Sequence, residues 1–512
     1  MSHYLLGLDN GNTVCKAVLF DLTGREVHVA SRKIATRYPH PGWSERDMDE
    51  LWQATVQSIR EVIQRAGVRS EQILAVGNTG HGNGAYLLDR SGKSLRGIQS
   101  LDCRAAGICA EWAASGLNEQ VYPYTLQALW AAQMNTLLVW LKRHEPHVYA
   151  QIGTAMLCKD YINYCLTGRV ATDYSDMSAT NLVDVRQRRY SPELLTLYGL
   201  EEMGDALPEM HQSFEQIGGV TPAVARQTGL LPGTPVVAGL LDVDACLIGS
   251  GVVGEGQASL VAGSWSVNSV LTRVPLLNPD LAMSAIASVP DHWLCLEASA
   301  TSVTNLEWFI TQFCAEERLE AARRGVSVHT VCDEQVMAAF SHVQSPLIYH
   351  PFLHGTNVQA TARAGFYGLA GWHTRADALR AVYEGVVFSH FSHVEKLRQG
   401  GVCAFNSVRL TGGGARSRVL CQLFADILGV RVDVPDCQET GALGAALSAG
   451  IGVGGWTDYA EAIQHTIRVS RSYEPDPERF QYYQRHYQLY QELIQSMEQP
   501  WQQMERHQAT TT

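Results

Sequence analysis

Several features are missing from this chain, and each absence excludes something. The twelve cysteines are scattered, with no CxxC pair, so neither a disulfide framework nor a zinc site is expected. Reduced, mostly buried thiols in a cytoplasmic protein fit better. Positive charge is scarce: 39 Lys and Arg stand against 51 Asp and Glu, a net charge of −12. That balance argues against a nucleic-acid partner, which demands a basic surface. A phosphorylated small ligand needs only a few local donors and is not excluded. No basic leader and no long apolar run is found, so neither a signal peptide nor a membrane span is expected. Low-complexity segments are absent too, and only Gln508 to Thr512 read as disordered. What is present is ordinary for a soluble globular protein: 512 residues, 46% hydrophobic and 18% charged, enough for two or three domains.

The chain is organised around a stretch near its middle, Val236-Val-Ala-Gly239-Leu-Leu-Asp242-Val-Asp244-Ala-Cys-Leu-Ile-Gly249. An apolar strand leads into a glycine. A carboxylate follows where the strand ends, and a run of small residues then opens a helix. An acid at a strand's carboxyl end faces the crevice where open α/β sheets bind ligands. There it can take a proton from a substrate hydroxyl during phosphoryl transfer. Read alone, the same residue is better explained as a cap on the next helix, and the rest of the chain shifts that balance.

The chain opens Leu5-Leu-Gly-Leu-Asp9-Asn-Gly11-Asn12-Thr13-Val-Cys-Lys16, a strand, a tight turn and a second strand. Gly11 is expected to give the turn an unusual φ. Asn12 and Thr13 supply donors at its tip, between Asp9 and Lys16. This set suits a Mg²⁺-nucleotide phosphate, although a polar-tipped hairpin gives the same pattern. Asp47 then precedes an amphipathic helix with Met48, Leu51, Trp52, Val56, Ile59 and Ile63 on one face and Gly67 as its stop. Next, Ile73 to Gly77 reads as a strand entering the glycine-spaced loop Asn78-Thr-Gly-His81-Gly-Asn83-Gly84. Such a loop suits recognition of a hydroxyl-rich ligand, or serves as a hydrogen-bonded turn. Its side chains are expected to stay out of the core. Ser100-Leu-Asp102-Cys-Arg104 adds an acid–base pair, a pattern that surface ion pairs also give. Asp173 to Asn181 reads as a polar loop of no assigned role.

In the second half, Ala258 to Thr272 repeats the opening pattern around Gly263-Ser264-Trp265, an echo that points to two related halves. Ser407 to Leu410, the loop Thr411-Gly412-Gly413-Gly414-Ala415-Arg416-Ser417 and a helix follow in order. Glycines let a nucleotide approach the backbone, and a helix N-terminus favours anions. The small-residue helix from Thr440 to Gly450 can pack closely against a neighbour or an adenine. Asp476-Pro477 starts a terminal helix whose stripe, Phe480, Tyr483, Tyr487, Tyr490, Ile494 and Met497, docks on the protein itself or forms a homodimer contact.

The parts in this order resemble the FGGY carbohydrate kinases, from Tyr4 to about Tyr490. Asp9-Asn-Gly11-Asn12-Thr13 is similar to their first phosphate loop and Gly239-Leu-Leu-Asp242 to their catalytic-Asp segment. Gly263-Ser264-Trp265 is similar to the second phosphate hairpin and Thr411-Gly-Gly-Gly414-Ala to the adenosine loop; Pro41-Gly-Trp43-Ser-Glu also has a family look. Within the family, Gly263-Ser-Trp265 and Phe388-Ser-His-Phe-Ser-His393 resemble pentulose kinases of the L-xylulose type. His81-Gly82-Asn83 departs from the Gln-Met-His of D-xylulose kinases.

The resemblance implies an α/β protein with two RNase H-like domains of the actin, sugar-kinase and Hsp70 ATPase type around a cleft. The expected bounds are 1–250, 251–490, and a helix end and tail at 491–512. It implies ATP-dependent phosphorylation of a terminal hydroxyl of a ketopentose, or of another polyol such as erythritol or glycerol, with Mg²⁺. Asp242 would be the base and Asp9 would hold the metal through water. Asn12, Thr13, Lys16, Gly263, Ser264, Gly413, Gly414 and Ala415 would bind nucleotide, and His81, Asn83, Asp102 and Asp242 would bind sugar. A non-catalytic sugar sensor on the same fold would carry an added DNA-binding segment, and none is expected ahead of Tyr4. An actin- or Hsp70-like ATPase would turn over ATP without a sugar.

Overall fold

The computed structural model describes residues 3–340, 346–402 and 405–509. Of the tail expected to be disordered, Gln508 falls inside the last helix, and residues 510–512 lie outside the described residues.

The chain forms two compact units and passes between them more than once. One comprises the chain up to Gly254, Leu271–Cys295 and Glu439–Arg468; the other comprises Glu255–Val270, Leu296–Gln438 and Val469 onward. The first exit falls near the expected boundary at 250, but two later segments rejoin the first unit.

The first unit is built on a seven-stranded sheet. Tyr4–Asn10 and Val14–Asp21 form the opening hairpin, with Asp9 opposite Lys16, and Glu26–Lys33 continues it. On its other side Tyr4–Asn10 lies parallel to Ile73–Gly80, which pairs in turn with Pro235–Val237 and with Leu240–Leu241. Strands joined in parallel by crossovers put their carboxyl ends on one edge, and that edge carries Asp9, Thr79 and Asp242. Helix Met48–Ala66 packs on the sheet through Leu51, Val56, Ile59, Val62 and Ile63, capped by Asp47 and stopped by Gly67 at φ 65°. The helix Thr440–Gly452 also belongs here. A Cβ on Gly7 would lie 2.0 Å from Ala442 O, one on Gly77 1.8 Å from Ala445 O, and one on Gly444 2.1 Å from Ala245 O. Close backbone contact, rather than side-chain interdigitation, therefore seats this helix on the sheet and against helix Asp242–Gly249.

The second unit repeats the scheme. The hairpin Gln257–Ala262 and Ser266–Thr272 lies parallel to Ser407–Thr411, followed by Arg431–Pro435 and Val469–Tyr473. Helix Arg418–Leu428 starts at a Ser417 cap and buries Leu420, Leu423, Phe424 and Ile427. The terminal helix Pro477–Ala509 buries Tyr483, Tyr487, Tyr490 and Ile494 on its own unit, with the Tyr483 hydroxyl donating to Glu384 at 2.9 Å.

Several local expectations change. The strand Ile73–Gly80 runs three residues further than its apolar run predicts, because Asn78 and Thr79 keep pairing with Leu8 and Asp9. The segment from Asp173 to Asn181 is not a solvent loop. It folds as the end of strand Ala171–Asp173, helix Tyr174–Met177 and a 3₁₀ turn, and nearly all of it is buried. Gly11 does not take a positive φ.

Candidate active site

The turn that delivers Asp242 is fixed residue by residue. Gly239 takes φ 79°, and a Cβ there would lie 2.0 Å from Asn78 O, so only glycine fits. Thr79 Oγ1 donates to Leu240 O at 2.7 Å, and Asn163 Nδ2 donates to Ala238 O at 2.9 Å. Leu241 is the N-cap of helix Asp242–Gly249, so Asp242 stands in the first helical turn rather than at the cap. Its Oδ1 accepts from Val243 N at 2.7 Å, and the Gly82 amide lies near enough to this carboxyl to favour its charged form. Burial, then the charge of Asp9, pushes its pKa up to about 7 against these amides. A carboxyl poised near neutrality is what a general base requires.

Asp9 is the last residue but one of its strand in the same unit. Burial and the charge of Glu439 raise its pKa to about 6, with Lys16 opposing. Lys16 Nζ is engaged by Glu439 Oε2 at 2.6 Å. A Cβ on Gly441 would lie 3.3 Å from Asp9 Oδ2, so the start of helix Thr440–Gly452 lies against this carboxyl. Glu439 was not found in the sequence; its only local signal is an acid placed before a small-residue helix. Among the described residues no group of three or more ligating side chains is arranged to hold a metal. Two mutually repelling carboxyls, one of them met by no hydrogen-bond donor among the described residues, fit Mg²⁺ held on water and phosphate oxygens rather than in an all-protein cage.

The hairpin tip between Asp9 and Lys16 is braced from below. Arg46 donates through Nη1 to Gly11 O at 3.0 Å and through Nη2 to Asn12 O. Gln99 Nε2 donates to Asn12 O at 2.8 Å, and Asn12 Nδ2 donates to Ser100 Oγ at 2.8 Å. Asn12 is thus held in place by its side chain, while Thr13 stays exposed at the tip. Arg46 too was missed, although it directly follows the Trp43-Ser-Glu run.

The expectation that the sugar-loop side chains avoid the core is corrected. His81 is 2% exposed, with Nε2 3.0 Å from the Tyr86 hydroxyl. Burial, with Arg46 nearby, lowers its pKa to about 3, so it is neutral. Asn83 is also buried and takes φ 59°; its Oδ1 has no partner among the described residues. Asp102 is fully engaged. Its Oδ1 accepts from Arg104 N at 2.8 Å and Arg104 Nε at 2.9 Å, and its Oδ2 from Ser44 N at 2.7 Å and Arg104 Nη2 at 2.9 Å. Arg104 stacks over Trp43, 4.0 Å from the ring centroid.

In the second unit, the tip Gly263–Trp265 is met by the start of helix Val303–Phe313: Val303 N donates to Gly263 O at 3.0 Å and Thr304 Oγ1 to Ser264 O at 3.2 Å. The three loop glycines differ. Gly412 takes φ 85° with Ala262 O 2.7 Å from a built Cβ, and a Cβ on Gly414 would meet Leu420 and Ala262 within 2.9 Å. A Cβ on Gly413 would enter open space. Arg471 Nη2 holds Ala415 O at 2.7 Å. Beside this loop lies a cavity of about 710 Å³ lined by Asp333, Met337, Arg416, Val419, Leu423 and Tyr473, among others.

The models of the FGGY family of carbohydrate kinases match the chain in sequence: the N-terminal domain over residues 4–249 and the C-terminal domain over residues 258–453. The chain is 39% identical over 502 residues to L-xylulose/3-keto-L-gulonate kinase of Escherichia coli, covering 97% of this chain and 98% of that protein. It is 29% identical over 504 residues to autoinducer-2 kinase of Salmonella typhimurium, covering 94% and 92%. Among solved structures, xylulose kinase from Rhodospirillum rubrum superposes with a TM-score of 0.86 at 27% identity, covering 98% of this chain and all of that one. Gluconate kinase from Lactobacillus acidophilus, at 22% identity, shares the fold with a TM-score of 0.89 over 98% of this chain and 100% of that one. Strand, glycine and acid in one unit, strand, glycine loop and helix in the other, and both family domains along the chain agree: it belongs to the FGGY family of carbohydrate kinases and is a sugar kinase of the actin, sugar-kinase and Hsp70 ATPase fold.

Proposed function

We propose that the sugar is a ketopentose of the L-xylulose type, and that the terminal phosphoryl of ATP passes to its terminal hydroxyl with Asp242 as general base. The observation that carries the mechanism is the carboxyl of Asp242: it stands at a strand end, accepts only backbone amides among the described residues and is held near pKa 7. As the hydroxyl oxygen attacks, Asp242 takes its proton. The Val243 amide keeps the carboxyl aimed, and Asp9 keeps its pKa high enough to accept. Asp9 would hold Mg²⁺ through water, and the ion would neutralise phosphate charge. Thr13 and the backbone at Asn12, Gly263 and Ser264 would orient phosphates, with Lys16 as the nearby cation. Gly413 and Gly414, with Ala415, would line the adenosine site, since the open space beside Gly413 leaves room for a nucleotide against the backbone. On the sugar side, Asn83 has the free acceptor, while His81 and Asp102 shape the loop and strip around it.

Relatives named L-xylulose kinase, 35% to 39% identical over nearly the full chain, support a pentulose. Relatives named autoinducer-2 kinase at 29–30% support a second reading, another small polyhydroxylated carbonyl compound. A coupled assay of ADP release with ATP across L- and D-xylulose, L- and D-ribulose, 3-keto-L-gulonate, autoinducer-2, erythritol and glycerol decides between them. The pentulose reading requires L-xylulose or an epimer to give the highest kcat/KM. A higher value for autoinducer-2 or a simple polyol overturns it.

A further inference from the structure

Four charged side chains, Lys159, Asp160, Asp173 and Asp176, lie wholly buried in the first unit, behind the turn that carries Asp242. Buried charge is costly unless paired. Lys159 Nζ meets Asp160 Oδ1 at 2.5 Å and Asp173 Oδ1 at 2.9 Å. Burial works against the ammonium, but these two carboxylates, together with Asp176 whose Oδ2 lies 3.9 Å away, hold its pKa up. Asp173 is the hub. Its Oδ2 accepts from Ser175 N at 2.9 Å, Ser175 Oγ at 2.6 Å and Ser213 Oγ at 2.8 Å. With its proton directed to Asp173, the Ser175 hydroxyl turns a lone pair outward, and Leu241 N donates to it at 3.0 Å. Leu241 immediately precedes Asp242 and is the N-cap of its helix. Lys159 also reaches Ala238 O at 3.5 Å, two residues before Leu240.

This architecture exceeds what a folded core needs. A buried amide can be satisfied by any neighbouring carbonyl, whereas here the acceptor is itself locked by an ion pair. Asp176, one residue beyond Ser175, has no hydrogen-bond partner for either carboxyl oxygen among the described residues, although Lys159 Nζ lies 3.9 Å from its Oδ2, and Gly82, whose amide lies near Asp242, faces it: a Cβ on Gly82 would lie 3.4 Å from Asp176 Oδ1. The residue before Asp242, through its bond to Ser175, and the neighbouring Gly82 therefore border the same buried cluster.

We propose that Ser175, locked by the Lys159–Asp173 ion pair, is a positioning residue for phosphoryl transfer: by holding the Leu241 amide it fixes the direction of the Asp242 carboxyl. This rests on Asp242 being the base. Ser175 touches no substrate, so its loss misaligns the base without weakening binding, and small misalignments of reacting groups cost about 10- to 100-fold in rate.

The test uses the full-length enzyme with its preferred sugar. Ser175→Ala is expected to lower kcat about 10- to 100-fold while KM for sugar and for ATP stays within about twofold. Ser175→Thr, which restores a hydroxyl, is expected to recover most of kcat. Ser175→Cys, of similar shape but a weaker acceptor, should fall between them, and it serves as the first measurement if the alanine variant does not fold. Ser178→Ala is the control: its equally buried hydroxyl, on the same segment, accepts Ile286 N at 3.0 Å, so it should lower the melting temperature and leave kcat intact. Normal kcat with a lower melting temperature in both Ser175→Ala and Ser175→Cys overturns the proposal, as does a rise in sugar KM that accounts for the whole loss. Asp242→Asn run in parallel separates the two readings. If it keeps kcat, the base assignment fails and the Ser175 role falls with it; if it is inactive while the Ser175 variants are normal, the positioning role alone fails.

Discussion

Asp102 and Asp242 are both carboxylates of the first unit, both sequence candidates for the sugar side, and the structure treats them differently. Asp102 is given four donors, three of them from Arg104, and its acceptor capacity is filled. Among the described residues Asp242 receives only backbone amides, lies beside another carboxyl and has no cation of its own. A carboxylate filled by donors carries structure; one denied a cation is left with proton affinity to use. Burial alone does not separate them, since Asp102 is the more deeply buried of the two.

The strongest way to break this comparison is to neutralise each acid in turn. Asp242→Asn is expected to lose about 10²–10⁴-fold in kcat with nucleotide affinity retained, as read by steady-state kinetics beside calorimetric titration with ATP. Asp102→Asn is expected to act on stability instead. It leaves the buried Arg104 without its carboxylate, and a broken buried pair costs about 3–5 kcal/mol. The lower end applies here because Glu45 Oε1 still accepts from Arg104 Nη2 at 2.7 Å. Urea unfolding measures it. If Asp102→Asn lost kcat with an unchanged unfolding midpoint, the two acids would be alike after all.

The comparison sharpens with pH. The acidic limb of kcat/KM should report a group near 7 because Asp242 must be ionised to act. Its charge interacts with that of Asp9, near 6, so the limb belongs to the pair. Stability runs the other way. A folded-state pKa raised above the ordinary value of 3.8 favours the fold at low pH, and that contribution is lost as pH rises from about 4 through about 7. Without metal, Asp242→Asn should therefore melt increasingly above the wild type as pH rises through 7, with the difference levelling off beyond it. Melting curves at pH 5 and 8 check the sign; a difference that shrinks toward pH 8 would remove Asp242 from the group of strained carboxyls.

Much of the site was legible because its signals are local. A strand, a glycine and an acid occupy seven consecutive positions at Val236–Asp242, and the loop Gly412–Ser417 sits between a strand and a capped helix. The braces were not legible because their partners lie far apart in sequence. Lys16 finds Glu439 across 423 positions, Arg46 finds Gly11 across 35, and Leu241 finds Ser175 across 66. The segment from Asp173 to Asn181 was misread for the same reason. Its Asp and Ser residues have the composition of a surface loop, and their burial depends on partners distant in sequence, a lysine from another helix and the Ser213 hydroxyl. The helix Thr440–Gly452 was legible as a close-packing element but not as part of the first unit, since small residues do not reveal their neighbour.

The smallest expected effect concerns Asn83. Its left-handed backbone is tolerated by asparagine better than by most residues, so some stability depends on its identity. Its Oδ1 is buried and unpartnered among the described residues, and a buried acceptor without a donor is unfavourable unless a ligand supplies one. A sugar hydroxyl is such a donor, and a site that depends on one hydroxyl discriminates against isomers that misplace it. Asn83→Ala should therefore raise KM for the preferred sugar several-fold and narrow the spread of kcat/KM among pentulose epimers, with ATP kinetics unchanged. Asn83→Gly separates the two contributions, because glycine accepts the left-handed backbone without strain while still lacking the amide. If the glycine variant restores the melting temperature but not the epimer ratios, the side chain reads the sugar. If ratios and melting temperature recover together, the backbone turn was the whole effect, and the buried acceptor has no part in specificity.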